Sequence, residues 1–181
     1  MNIEDTKIDG CYVIEPKVFE DERGYFFESF NQNAFDELLG YKIDFVQDNQ
    51  SFSSRGVLRG LHYQTGAYQQ AKLVRVISGT VLDIAVDIRK NSPTFGKYVS
   101  VELTAKNKKQ LFIPRGFAHG FIVLSETAIF SYKCDNFYNK ESEAGIIYND
   151  PDLNIDWKLN PSEITISEKD TQLPLFKDAR L

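Results

Sequence analysis

At 181 residues, 42% hydrophobic and 26% charged, the chain is long enough for one domain with a sizeable core, and a single domain over residues 1–181 is expected. A net charge of −5 argues against a general grip on nucleic acid, which needs a basic face; a local Arg and Lys cluster could still hold one small phosphate ligand. No stretch approaches the roughly 18 apolar residues of a membrane helix, and MNIEDTKIDG lacks the positive region and apolar run of a signal peptide, so the expectation is a soluble cytoplasmic protein without membrane or nucleic acid partners.

In chain order, Cys11 comes first; neither it nor Cys134 belongs to a C-x-x-C pair, and two buried free thiols are expected. NQNAFDELLG (31–40) has an Asn start, an apolar face and a Gly stop, which predicts a short helix. SSRGVLRGLHYQ (53–64) crowds two arginines, two glycines and His62 together; the glycines allow tight turns or close backbone approach. Arg55 and Arg59 share a face if this segment is extended, and Arg59 and Gln64 are expected on the His62 side of a strand. LVRVISGTVLDIAVDIR (73–89) alternates, is rich in Val and Ile, and breaks at Ser78-Gly79, a hairpin signature. YVSVELTAKNKKQLFIP (98–114) repeats the pattern around Asn107-Lys108-Lys109, and FAHGFIVLSETAIFSYKCDNFY (117–138) repeats it around Ser125-Glu126. Strands recurring every 8 to 12 residues or so suggest a sandwich or barrel. SEITISEKDTQLPLF allows a short helix after Ser167. The fold class expected is all-β with a few short helices.

Both histidines of the chain lie in unusual settings. IPRGFAHGF (113–121) sets Pro114, Gly116 and His119 at P-x-G-x-x-H spacing. This resembles the second motif of the cupin superfamily, a jelly-roll β-barrel with a ligand-holding mouth. The first cupin motif supplies H-x-H, where this chain has His62-Tyr63-Gln64. A three-histidine metal site is therefore impossible; a two-histidine, one-carboxylate site remains formally open, and no metal is expected. Lys72 alternates with Val74 and Val76 and is either a surface lysine or a cation held inside to stabilise negative charge. Asp83 and Asp87 flank Ala85; either could partner an inward cation, or Asp87 could bridge to Arg89. Tyr132 alternates with Phe130 and is either core or an acid facing a histidine across a pocket.

Taken together, RGVLRGLHYQ, QAKLVRVISGTVLDIAVDIR, IPRGFAHGF, YKCDNFYN and the early DERGYFFESF resemble the dTDP-4-dehydrorhamnose 3,5-epimerase (RmlC) family from about Gly10 to Asp170. The resemblance implies a cupin jelly roll, a homodimer with exchanged strands and ligand contacts, and no metal or organic cofactor. It implies a dTDP-4-keto-6-deoxy-hexose substrate, inverted at C3 and C5 next to the C4 ketone. His62 would be the base, paired with Asp170; Lys72 would stabilise the enolate and Tyr132 would deliver the proton from the opposite face. Arg23, Glu28, Gln47, Asn49, Arg59, His119, Glu143 and Lys169 match binding positions, and Phe26 and Tyr138 match aromatics near the thymine. TGAYQQ after Gln64 is less typical, which leaves that loop's shape open.

The chemistry is coherent without the name. A C–H beside a ketone becomes acidic only when the enolate is stabilised, so a base, a cation at the oxygen and an acid on the far face are the minimum set. A carboxylate, Asp170 or Asp83, would fix the tautomer of His62. Arg23, Arg59 and Lys169 would hold the diphosphate. A C3-only epimerase or a keto-isomerase of a related dTDP sugar shares these contacts. A carbohydrate-binding cupin would not need His62, Lys72 and Tyr132 together, and a metal-dependent cupin oxygenase is disfavoured by the missing histidines.

Overall fold

Alternation leaves each strand with one apolar face to bury, and the computed structural model, which describes residues 1–181, buries those faces between two sheets. The strands are β1 (Asn2–Asp5), β2 (Tyr12–Glu15), β3 (Phe19–Asp21), β4 (Gly24–Phe26), β5 (Gln47–Ser54), β6 (Val57–Gln64) and β7 (Lys72–Ser78). They continue with β8 (Thr80–Asp87), β9 (Tyr98–Thr104), β10 (Gln110–Ile113), β11 (Phe117–Val123), β12 (Thr127–Cys134), β13 (Glu143–Gly145) and β14 (Thr165–Ile166). One sheet runs β1-β2-β10-β7-β12-β5; the other runs β13-β6-β11-β8-β9, with β14 parallel to β6. β3 and β4 form a separate two-stranded hairpin. The fold is the expected cupin jelly roll.

Residues 73–89 do not form the expected hairpin. β7 belongs to the first sheet and β8 to the second, and β9/β10 and β11/β12 divide in the same way. Each break is a corner that carries the chain across the barrel, after which strands distant in sequence pair. Gly79 makes the first corner at φ +84°, where an added Cβ would lie 2.1 Å from the Thr127 carbonyl oxygen. Alternation establishes a strand and its faces; it does not reveal which edge finds which.

The barrel interior holds the largest core cluster, including Val74, Val76, Val81, Phe121, Val123 and Phe130. The other face of the second sheet presents Leu82, Ile84, Val86 and Ile122, which Leu153 and Trp157 of the C-terminal segment cover. β8 is thus buried on both faces, which explains its near-continuous apolar run. The expected helix appears as α1 (Gln32–Leu39), with Asn31 accepting from the Ala34 N–H and Gly40 left-handed at its end. Its Phe35 packs on Leu73 and Phe112 outside the first sheet. The C-terminal helix is α2 (Glu168–Thr171), capped by Ser167. Cys11 and Cys134 are both buried and free.

Candidate active site

Arg59 and His62 are three residues apart, which would put them on opposite faces of a regular strand. A β-bulge removes the conflict: His119 pairs with His62 but Phe121 pairs with Arg59, so two steps along β11 match three along β6. Gly60 occupies the bulge at φ +131°, and a Cβ there would lie 2.5 Å from the Gly120 Cα. Leu58 and Leu61 consequently both face the outer cluster, while Arg59 and His62 enter one cavity. Arg55 does not join them. The chain reverses between β5 and β6, and Arg55 instead bonds the Leu124 carbonyl and lies 3.5 Å from Glu163 on the surface. The shared face expected for Arg55 and Arg59 fails because the segment is a turn there.

The cavity has a volume of about 560 Å³ and opens between β5 and β6. His62, Arg59, Lys72, His119, Tyr132, Asn49, Lys169 and Asp170 line it. An adjoining recess shares Asn49, His62, Lys72 and Tyr132 and adds Gln47, Tyr138 and Glu143. Tyr138 Oη donates to Glu143 Oε2 at 3.0 Å, and Lys169 Nζ donates to the same oxygen at 2.7 Å. Burial would raise the Glu143 carboxyl, but these donors outweigh it and hold its pKa below the usual range.

His62 Nε2 lies 2.7 Å from Asp170 Oδ1. Next to a carboxylate that nitrogen carries the proton, which leaves the lone pair on the other ring nitrogen. Asp170 is 4% exposed, and burial alone would raise its pKa; the hydrogen bond and charge of His62, followed by the Gly60 N–H and the nearby Ser167 side chain, reverse this and lower it. Asp83 takes the other histidine: its carboxylate lies 3.0 and 3.1 Å from His119 Nε2. Burial is the largest influence on His119 and pushes its pKa down, with Lys72 and His62 acting the same way against Asp83. Asp87 turns away from the cavity and binds Arg89, as one reading of the sequence had it, together with Ser92 and Thr94.

Lys72 is the inward cation. Its Nζ lies 5.9 Å from the centre of the Tyr132 ring and makes no ion pair. Burial lowers its pKa, against the opposing pull of Cys134 and Asp83. Tyr132 is raised by burial first and then by Cys134, with Arg59 opposing, so the phenol stays protonated near neutrality. His62 rises from the second sheet and Tyr132 from the first, so they face each other across the cavity.

Three expected binding residues stand apart. Arg23 and Phe26 belong to the β3–β4 hairpin, where Phe26 is 67% exposed and Arg23 Nη2 pairs with Asp21 at 2.6 Å. Glu28 accepts from Asn31 Nδ2. None of the three lines the cavity or the adjoining recess. Conversely, Ser51, Phe121, Phe130 and Ser167 line it without having been singled out from the sequence. For Ser51 the signal was present: QDNQSFSS places a polar residue at every inward position of β5, where a packing face would be apolar. No three His, Cys, Asp or Glu side chains converge as a metal site would require.

A sequence model of the family described as dTDP-4-dehydrorhamnose 3,5-epimerase matches residues 5–178. The chain is 57% identical over 180 residues to the dTDP-4-dehydrorhamnose 3,5-epimerase of Shigella flexneri, covering 99% of this chain and 98% of that protein. A crystal structure of the Elizabethkingia anophelis enzyme of that name superimposes with a TM-score of 0.95 at 60% identity, covering 98% of this chain and 97% of that one. The Legionella pneumophila dTDP-6-deoxy-D-glucose-3,5-epimerase, solved with dTDP-4-keto-L-rhamnose, gives 0.94 at 53% identity, over 98% and 93%. With a family model spanning nearly all its residues and relatives this similar along their whole length, the chain belongs to the dTDP-4-dehydrorhamnose 3,5-epimerase family, isomerases that act on a dTDP-linked sugar.

Proposed function

We propose that residues 1–181 act as one catalytic domain that inverts C3 and C5 of dTDP-4-keto-6-deoxy-D-glucose to give dTDP-4-keto-L-rhamnose. The observation that carries this reading is the His62–Asp170 pair facing Tyr132 across a cavity that also holds Lys72. The free nitrogen of His62 removes the C3 proton, and the electrons move onto the C4 oxygen, where the Lys72 ammonium stabilises the enolate. Tyr132 returns a proton from the other face, and the sequence repeats at C5. No electrons are gained or lost overall, so these acid–base groups suffice without a metal or organic cofactor. Asp170 keeps the imidazole oriented and offsets the charge it acquires.

Arg59, Lys169 and the partner's hairpin are assigned to the dTDP moiety, with Gln47, Asn49, His119, Tyr138 and Glu143 completing the binding surface. Arg23, Phe26 and Glu28 lie outside their own cavity, and the exposed hairpin that carries Arg23 and Phe26 suits a homodimer in which each chain closes the other's site. Free thiols at Cys11 and Cys134 suit a cytoplasmic setting. No helix of the chain is long and apolar enough to cross a membrane.

Proton NMR of the keto sugar nucleotide in D₂O tests the assignment. Deuterium at both C3 and C5 is expected. Exchange at C3 alone would replace it with a C3 epimerase, and no exchange despite nucleotide binding would leave a different keto sugar or a binding role.

A further inference from the structure

The inward face of β5 carries Gln47, Asn49, Ser51 and Ser53. Three of these have defined partners. Gln47 Nε2 donates to Asn49 Oδ1, the Asn49 amide donates to Cys134 Sγ, and Ser53 Oγ accepts from Arg59 Nε. Ser51 Oγ has none. It is the one buried side-chain oxygen or nitrogen in the chain without a hydrogen-bond partner, and its residue lines the cavity. An unpartnered buried hydroxyl destabilises a fold, so its presence calls for a compensating use.

We propose that Ser51 is a substrate-binding residue whose hydroxyl donates to an acceptor oxygen at the junction of the hexose and the diphosphate. This rests on the sugar-nucleotide reading of the cavity. Position along the strand carries the assignment. Asn49 pairs with Tyr132, Ser51 with Phe130, and Ser53 binds Arg59. Ser51 therefore lies one step from the group assigned to the sugar carbons and one step from the guanidinium assigned to phosphate. Rotation between staggered χ1 wells, about 120° apart, changes the direction of its hydroxyl without moving the backbone. The oxygen it meets belongs either to the hexose or to the adjoining phosphate; both accept a hydrogen bond.

The test pairs stability with affinity in Ser51→Ala, with the wild-type protein as baseline. Removing an unpartnered hydroxyl should leave the melting temperature of the unliganded protein unchanged or raised, whereas a structural serine would lower it. Calorimetric binding should weaken about threefold to tenfold, the range of one hydrogen bond. Loss with both dTDP and dTDP-glucose would place the contact on the phosphate; loss with dTDP-glucose alone would place it on the hexose. Unchanged affinity for both ligands, or a lowered melting temperature, would overturn the proposal. Failure of the wild-type protein to bind dTDP would instead count against the sugar-nucleotide reading itself.

Discussion

Asp170→Asn removes one negative charge from the site at nearly constant volume. In the parent protein the Asp170 carboxylate lies 2.7 Å from His62 Nε2 and is almost wholly buried, while the His62 side chain remains 34% exposed. When His62 takes a proton from carbon it becomes an imidazolium, and the bond to Asp170 becomes charge-assisted. Such a bond contributes about 1.5–3 kcal/mol. The neutral amide cannot supply that stabilisation, and it can also present its NH₂ group to the ring and favour the wrong tautomer. At about 1.4 kcal/mol per decade, kcat/KM should fall roughly 10- to 150-fold from the charge alone. The assay is the initial rate of deuterium entry at C3 from D₂O, followed by proton NMR, with dTDP binding measured alongside. Binding should change little, because the carboxylate faces the base and not the nucleotide. A variant exchanging C3 within twofold of the parent would refute the assigned role of Asp170. Equal losses in dTDP affinity and rate would recast it as a binding residue.

Tyr132→Phe keeps the ring but removes the far-face proton donor; deuterium entry at C3, which needs only His62, should survive while net inversion at C3 and C5 is lost, and unimpaired inversion would remove Tyr132 as the far-face acid. Burial would raise the pKa of Asp87, but Arg89, Ser92 and Thr94 outweigh it and bring it to about 2 from 3.8. A depressed carboxylate stabilises the fold above its unfolded pKa and loses that contribution as the pH falls through the folded one. Denaturant unfolding between pH 5 and 2 should therefore show a loss on the order of 2 kcal/mol that Asp87→Asn abolishes, and parallel curves for the two proteins would contradict the ion pair's role. EDTA treatment should leave turnover unchanged; a loss restored by added metal would overturn the cofactor-free mechanism.

Local chemistry made much of the molecule legible from residue order. The ends of α1 follow from Asn31 and Gly40, which satisfy backbone groups within one turn. The short α2 follows from Ser167 in the same way. Alternation put Lys72 on the face of Val74 and Val76 and Tyr132 on the face of Phe130, and the P-x-G-x-x-H spacing singled out His119. Resemblance then added roles that periodicity does not contain.

Three features depended on distant parts of the chain. The corner at Gly79 splits an apparent hairpin between two sheets, so β7 pairs with β10 and β12 while β8 pairs with β9 and β11. The bulge at Gly60 turns Arg59 and His62 to one side, and it packs β6 so closely on Gly120 of β11 that position 60 has no room for a side chain. Resemblance pointed to Asp170 as the carboxylate beside His62, but residue order alone did not exclude Asp83. Asp170 reaches His62 across 108 residues, while Asp83 is taken by His119. Residue order determined which side chains share a face wherever a strand is regular, since that is a property of one strand. Tertiary structure decided which of them meet, since that depends on packing between strands the sequence does not place together.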